Sequence, residues 1–348
     1  MKILNITKFS FLLVFILIVS SCSTFIRDSV YPTLSDFKYD SEFPYKNCSS
    51  QLEEISNSVR LVNVIAYYRN YLVNPAEKLI KSQITPDNFD EKTFYKGTFH
   101  KTASGTATIV YAFNGYVALL TCAHIISFPD TLYAFRIDTN GTVTRHVESI
   151  SIKTKQTNYV TDFPEGGDVD ILVKDNYNDL AIIGRRFYQY NLNSFPLFKY
   201  PLGKARELEW GSFVYALGYP MNYKMVTKGI VSSPNRDDNG SFLIDAVFNR
   251  GFSGGIVLAI RDGVPNFELV GLVRSVPAEY EYTLKPEIPT DDYEFNPLVP
   301  YKGQLFIDQK VNIKYGVTRV IPIETVISFI QRNYDVLINN GYALDNFK

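Results

Sequence analysis

Apolar and polar positions alternate in short runs over most of the chain. From about residue 98 to 276, runs rich in Val, Ile, Thr, Tyr and Phe are separated by Gly, Asn, Asp and Pro at close intervals; 107–112, 116–121, 180–183, 213–216, 255–259 and 269–273 are examples. β-Branched and aromatic residues suit a pleated, half-buried surface, and turns this frequent leave no length for crossover helices. The pattern therefore predicts an antiparallel sandwich or barrel. Helical spacing shows only towards the two ends. Ser50 and Glu53 form a capping-box pattern, and Leu52, Ile55, Val59, Val62 and Tyr67 recur at helical intervals up to Asn74-Pro75, predicting a helical extension within 49–97. Val326, Ile327, Ile330, Tyr334, Leu337 and Ile338 predict a last helix that starts at Pro322 and stops at Asn340-Gly341, with a tail over 339–348. Residues 22–48 hold Pro32 and Pro44 without an apolar period and read as a tether. Within a main domain spanning 98–338, residues 277–303 carry Pro277, Pro286, Pro289, Pro297, Pro300 and many acidic residues, and read as an exposed insertion or long loop.

The first 21 residues read as an export signal, with Lys2 and Lys8 ahead of an apolar run over 11–19 too short to span a bilayer. The run ends in Val19-Ser20-Ser21-Cys22, which resembles the bacterial lipobox. That resemblance implies a diacylated (palmitate-type) Cys22 as mature N-terminus, holding the protein as a lipoprotein on a membrane of the cell envelope, facing away from the cytoplasm. Two acyl chains suffice for stable anchoring, at about 0.8 kcal/mol per buried methylene. An ordinary secretory signal is the alternative and gives the same side of the membrane.

Composition narrows the chemistry. Lys and Arg number 35 against 36 Asp and Glu, so no net field grips nucleic acid. With 46% hydrophobic residues, 25 Phe and 25 Tyr, the chain can fill a large core. His100, His124 and His146, with Cys22, Cys48 and Cys122, include no pair at zinc-ligand spacing, so neither a metal nor an organic cofactor is expected. Cys48 and Cys122 have no sequence-defined geometry; a free, buried Cys122 is the default.

Three short segments carry reactive side chains. His124 ends the apolar run Leu120-Thr-Cys-Ala-His124, Asp179 enters the run Asp179-Leu-Ala-Ile-Ile183, and Ser253 lies in the glycine-rich turn Asn249-Arg-Gly-Phe-Ser-Gly-Gly255. A serine hydroxyl is a weak nucleophile at neutral pH and needs an imidazole to take its proton; the imidazole needs a carboxylate to fix its tautomer. Glycines around Ser253 let the amide hydrogens of Gly251 and Ser253 converge on a developing oxyanion, where one donor is worth about 3 to 4 kcal/mol of barrier.

In this order the motifs resemble those of the chymotrypsin-like (trypsin-like) serine proteases, closest to the high-temperature-requirement branch of bacterial envelope proteases. Thr121-Cys-Ala-His124 is similar to its histidine motif, Asp179-Leu-Ala-Ile-Ile to its aspartate strand, and Gly251-Phe-Ser-Gly-Gly255 to its nucleophile turn. Ser104-Gly-Thr106, Leu217-Gly-Tyr-Pro220, Thr227-Lys-Gly-Ile-Val231 and Val317-Thr-Arg-Val-Ile-Pro322 add further likeness, over roughly 98 to 334. The resemblance implies an all-β fold of two six-stranded antiparallel β-barrels, with an N-terminal helical extension and a C-terminal helix. It also implies a serine endopeptidase that cleaves extended polypeptides through His124, Asp179 and Ser253, with an oxyanion hole at Gly251 and Ser253. By the same analogy Val247 floors the primary specificity pocket, whose apolar character disfavours Lys or Arg before the scissile bond, and Arg274, Ser275 and Val276 form the substrate-binding edge.

The chain departs from the family pattern in several places. Phe252 replaces an Asp or Asn, Cys122 replaces a small residue, and His124 and Asp179 stand 55 positions apart. That spacing implies an insertion around 138–172 and leaves Asp175, Asp170 and Asp168 as weaker rivals for the acid. Too little chain follows the last helix for a peptide-binding PDZ module. Two other readings remain at this level: an inactive pseudoprotease that holds peptides or scaffolds as a lipoprotein, and an esterase, which lacks the expected strand–turn–helix context. Oligomeric state is open.

Overall fold

The apolar stripe that reads as helical from Leu52 to Tyr67 splits into two elements. Helix α1 covers only Ser49–Ser58, and the β-branched and aromatic run after it, Val59–Val73, is strand β1. Val62, Val64, Ala66 and Tyr68 are buried at a period of two, whereas the helical stripe of Ile55, Val59 and Val62 runs across the junction of the two elements. The first barrel therefore begins at Val59 rather than near residue 98, and Val59–Val73 and the start of β2, within the expected helical extension, are sheet. The computed structural model describes residues 35–85, 91–191, 194–246, 249–275, 278–286, 298, 303–313 and 316–347.

Strand β1 is flanked by β2 (Thr93–Phe113) and, on its other side, by β5 (Val143–Val160). With β3 (Tyr116–Thr121), β4 (Thr131–Ile137), β6 (Asp170–Asp175) and β7 (Leu180–Arg186) they form an antiparallel sheet of order β4-β5-β1-β2-β3-β7-β6. One bridge, Tyr159↔Asp168, with the Val169 amide donating to Asn158 O at 2.9 Å, brings the end of β5 to the start of β6. Six strands thus nearly close, and β4 is a seventh on the outer edge. The long spacing between His124 and Asp179 is taken up by β4, β5 and β6, a sheet extension rather than a loose loop.

The second barrel is closed, in the order β10-β15-β12-β11-β8-β9. Its strands are β8 (Phe213–Gly218), β9 (Met225–Ser233), β10 (Phe242–Ile244), β11 (Ile256–Ile260), β12 (Phe267–Ser275) and β15 (Thr318–Pro322). Between β12 and β15 a two-stranded ribbon projects, β13 (Ala278–Pro286) paired with β14 (Leu305–Ile313). The prolines of the insertion suggest a loop, but the segment before Pro286 alternates Tyr280, Tyr282 and Leu284 with Glu281, Thr283 and Lys285, the period of a strand.

The expected last helix breaks at Asn333 into α3 (Ile323–Arg332) and α4 (Tyr334–Asn339), a one-turn helix (α2, Ala123–Ile126) having followed β3 earlier in the chain. α3 buries Ile323, Val326, Phe329 and Ile330 and packs on β12 and β15, while Tyr342 sets its ring edge-on to Tyr111 and Tyr116 of the first barrel. The C-terminal segment therefore clamps one barrel to the other. The described part of the expected tether is also docked. The Asp40 amide donates to Ile260 O at 2.9 Å, the Phe213 amide to Asp40 O at 2.7 Å, and the Arg261 guanidinium covers the Tyr39 ring at 4.0 Å. A continuous apolar core runs through both barrels, and a second small cluster of Val73, Leu79, Val147 and Ile150 lies under the far end of β1. Among the described residues no helix is long and apolar enough to cross a membrane.

Candidate active site

His124 sits in α2, the single helical turn that follows β3. Strand β3 lies between β2 and β7, with Thr121 paired to Ala181, so the end of β3 delivers the histidine beside the start of β7. Asp179 is the last residue of the β6–β7 turn, in the left-handed region at φ 60°, a conformation that Asp tolerates better than most residues. Asp175 builds that turn: its carboxylate accepts the amides of Tyr177 at 2.9 Å and Asn178 at 3.1 Å and the Asn178 side chain at 2.7 Å, and it pairs with Arg332 at 3.1 Å. Fully engaged there, Asp175 is a turn former; Asp168 and Asp170 are exposed.

The Asp179 carboxylate faces the histidine. His124 Nδ1 lies 2.8 Å from Oδ2 and 3.0 Å from Oδ1, and the His124 amide donates to Oδ1 at 2.9 Å. Asp179 is buried while the His124 side chain is 48% exposed, so the carboxylate is shielded and the far edge of the ring opens to solvent. With Nδ1–H donating to the carboxylate, Nε2 is the free acceptor, the tautomer a general base requires.

Ser253 is half-buried in the turn that leads into β11. Three sets of bonds fix this turn against the first barrel. The Thr106 amide donates to Ser253 O at 2.8 Å, and the Thr106 hydroxyl donates to Gly251 O at 2.8 Å. The Gly254 amide donates to Val273 O at 2.8 Å, the same oxygen that receives the Cys122 thiol at 3.3 Å, so the residue after the serine and the residue two before the histidine share one acceptor. Two glycines are required here: Gly251 has φ 97° and a Cβ there would fall 2.4 Å from Tyr219 O, and Gly254 has φ 81° with a Cβ 2.1 Å from Thr106 O. Among the described residues the amide hydrogens of Gly251 and Ser253 make no hydrogen bond, and Ser253 Oγ makes none to the His124 ring. In ligand-free enzymes such bonds are often long and close only around substrate.

Phe252, where the family pattern has Asp or Asn, packs inwards. It is buried, with its ring against Gly218 and Gly255, where a Cβ would come within 3.0 Å of it. Arg274 stands at the end of β12 with Nε 3.5 Å from Asp179 Oδ2, an ion pair that spacing in sequence gives no means to foresee. Ser275 is the last residue of β12, paired across to Arg319. Val247, Val276 and the lipobox Cys22 lie outside the described residues.

Cys122 Sγ, a His124 ring nitrogen and an Asp179 oxygen also lie within 4.8 Å of one another, a possible metal cluster by distance. The chemistry of the donors argues against it. Burial, reinforced by the Asp179 charge, pushes the Cys122 thiol well above its ordinary range, so it stays protonated and donates to Val273 O. Cys48 is free as well, so the two cysteines do not pair.

No curated protein sequence matches the chain. The fold is similar to the crystal structure of Deg5 (17% identity, TM-score 0.42, 85% of this chain and 95% of that one) and to the inactive form of the Rv3671c protease (13% identity, TM-score 0.37, 66% and 83%). Residues 105–272, the stretch that holds His124, Asp179 and Ser253, match the trypsin-like peptidase domain family. Residues 105–272 are thus a trypsin-like peptidase domain, and the protein is a serine protease, a hydrolase.

Proposed function

We propose that the protein is a lipid-anchored endopeptidase of the bacterial cell envelope that hydrolyses extended polypeptides through an acyl-enzyme on Ser253. His124 Nε2 takes the serine proton and returns it to the leaving amine, and Asp179 holds the Nδ1–H tautomer and stabilises the imidazolium. The amides of Gly251 and Ser253 receive the oxyanion of the tetrahedral intermediate. Water then attacks the acyl ester by the same route in reverse. The observation that carries this reading is the 2.8 Å contact of His124 Nδ1 with a buried Asp179, on a segment stapled to the turn of Ser253. Val247 as an apolar pocket floor and Cys22 as the anchor rest on the sequence alone.

A second reading, a peptide-binding lipoprotein without turnover, is favoured by one feature, the absence of a hydrogen bond from Ser253 Oγ to the His124 ring among the described residues. A serine-reactive fluorophosphonate probe separates the two. Labelling of the wild-type protein that vanishes in Ser253→Ala supports the enzyme; folded wild-type protein that takes no label supports the binder.

A further inference from the structure

We infer that the cavity beside Asp179 is a subsite for a carboxylate side chain of the substrate polypeptide, at a position roughly two to four residues before the scissile bond. The inference deepens the proteolytic reading and rests on it for the identity of the ligand.

The cavity, about 470 Å³, lies between the turn that presents Asp179 (Tyr177), the β9–β10 loop (Arg236 and Asp237), the end of β12 (Arg274), β15 (Arg319) and the first turn of α3 (Thr325). Three arginines and one acidic residue, Asp237, line it. That carboxylate is already committed: Asp237 accepts the amides of Asn239 at 3.1 Å and Ser241 at 3.0 Å and the Ser241 hydroxyl. Burial alone would raise its titration, but these bonds hold it below the ordinary carboxylate range, so its oxygens are occupied by the loop. The guanidiniums are not so engaged. Among the described residues the side chains of Arg236 and Arg319 have no hydrogen-bond or ion-pair partner, and Arg274 has only its 3.5 Å approach to Asp179 through Nε. A planar fork of donors with spare N–H groups, repeated three times around one concavity, matches a carboxylate.

The backbone supplies the route to the cavity. Strand β12 pairs with β11 only as far as Ile256↔Leu272; the next residue, Val273, exchanges bonds with Gly254 and Gly255 instead. Among the described residues Arg274 and Ser275 have no strand partner on that side, leaving an edge that starts next to Ser253 and leads to the three arginines. An extended chain added to this edge advances about 3.3 Å per residue, so a side chain a few residues from the reacting carbonyl reaches the cavity.

Paired peptides test the assignment. Each pair carries an apolar residue before the scissile bond and differs only by Glu or Gln at one of the positions two to four residues upstream. At one of them the wild-type protein is expected to favour Glu in kcat/KM by about tenfold at low salt, the scale of one charge-assisted hydrogen bond. In Arg236→Gln/Arg319→Gln that ratio falls towards one. A wild-type ratio of one or less at every position, or an unchanged ratio in the double variant, overturns the subsite. Anisotropy titrations of the same peptides on Ser253→Ala read the cavity without turnover. Glu-selective binding by a protein that cleaves nothing keeps the subsite and refutes the proteolytic reading; equal cleavage and equal binding of both peptides does the reverse.

Discussion

The hydroxyl of Thr106, on the first barrel, donates a 2.8 Å hydrogen bond to the carbonyl oxygen of Gly251, on the second, and accepts the Tyr219 amide at 2.9 Å. Thr106 is fully buried, so neither partner can turn to water if the hydroxyl is lost. Thr106→Val keeps the shape and leaves a carbonyl and an amide unsatisfied, at a cost of about 1–3 kcal/mol each. We expect a lower melting temperature together with a lower kcat, since the carbonyl of Gly251 orients the turn whose amides we propose to receive the oxyanion. Thr106→Ser should recover most of both. Thermal denaturation and peptide hydrolysis on the three proteins check this, and a Val variant with wild-type kcat would show that the turn holds itself.

Asp179 and Asp175 are separated by one tight turn and have different tasks. Asp179→Asn offers His124 an amide in place of a carboxylate and favours the wrong tautomer, so turnover should drop on the order of 10⁴-fold. Asp175→Asn retains one acceptor oxygen for the Tyr177 and Asn178 amides but loses the Asn178 side-chain bond and the exposed pair with Arg332, none of which touches the His124 ring, so turnover should fall by no more than about tenfold. Steady-state kinetics on a folded pair of variants decides it; the opposite ranking would transfer the acid role to Asp175.

Much of the fold was legible because period-two runs and their turns mark strands regardless of partner. Residues 107–112 and 116–121 are rich in β-branched and aromatic residues, and both are strand. The error over Val59–Val73 came from positions where two periods coincide: Ile55, Val59 and Val62 satisfy a helical stripe, and only the alternation from Val62 to Tyr68 distinguishes the two. The candidate residues His124, Asp179 and Ser253 stand out as motifs because each lies in a short local pattern. Thr106 and Arg274 were not legible in their roles: each acts on a residue more than 90 positions away, and no local pattern encodes a bond from Thr106 to Gly251 or an ion pair from Arg274 to Asp179. The docking of Tyr39 and Asp40 on β8 and β11 was hidden for the same reason, in a segment whose composition resembles a linker.

Cys122 lies two residues before the histidine, yet it should behave as an inert apolar side chain. It is fully buried, and burial with the nearby Asp179 charge keeps it a thiol well above neutral pH. Folded protein at pH 8 should therefore resist iodoacetamide at this position and react only after denaturation, as peptide mass mapping can read. In Cys122→Ala, Val273 O still accepts the Gly254 amide at 2.8 Å, so the stability cost should stay near or below about 1 kcal/mol. Rapid alkylation of the folded protein would mean that the β3–α2 junction opens far more often than its packing suggests.

Asp40 ties stability to pH. It is 3% exposed, and burial pushes its carboxyl up from 3.8 to about 6, with the charges of Glu42, Asp262 and Asp36 adding to the rise and the Gly263 amide only partly opposing it. The folded chain therefore holds this proton more tightly than the unfolded chain does. Its contribution is fully present below the unfolded value near 3.8 and is lost as pH rises through about 6. Above that, the ionised carboxylate costs on the order of 3 kcal/mol relative to its neutral form. Asp40→Asn keeps an oxygen for the Gly263 amide and removes the charge, so the variant should melt higher than wild type at pH 8 and close to it at pH 4. Calorimetric melting curves at the two values measure the difference directly. An equal gap at both would assign the effect of the substitution to packing of the docked segment rather than to the charge it buries.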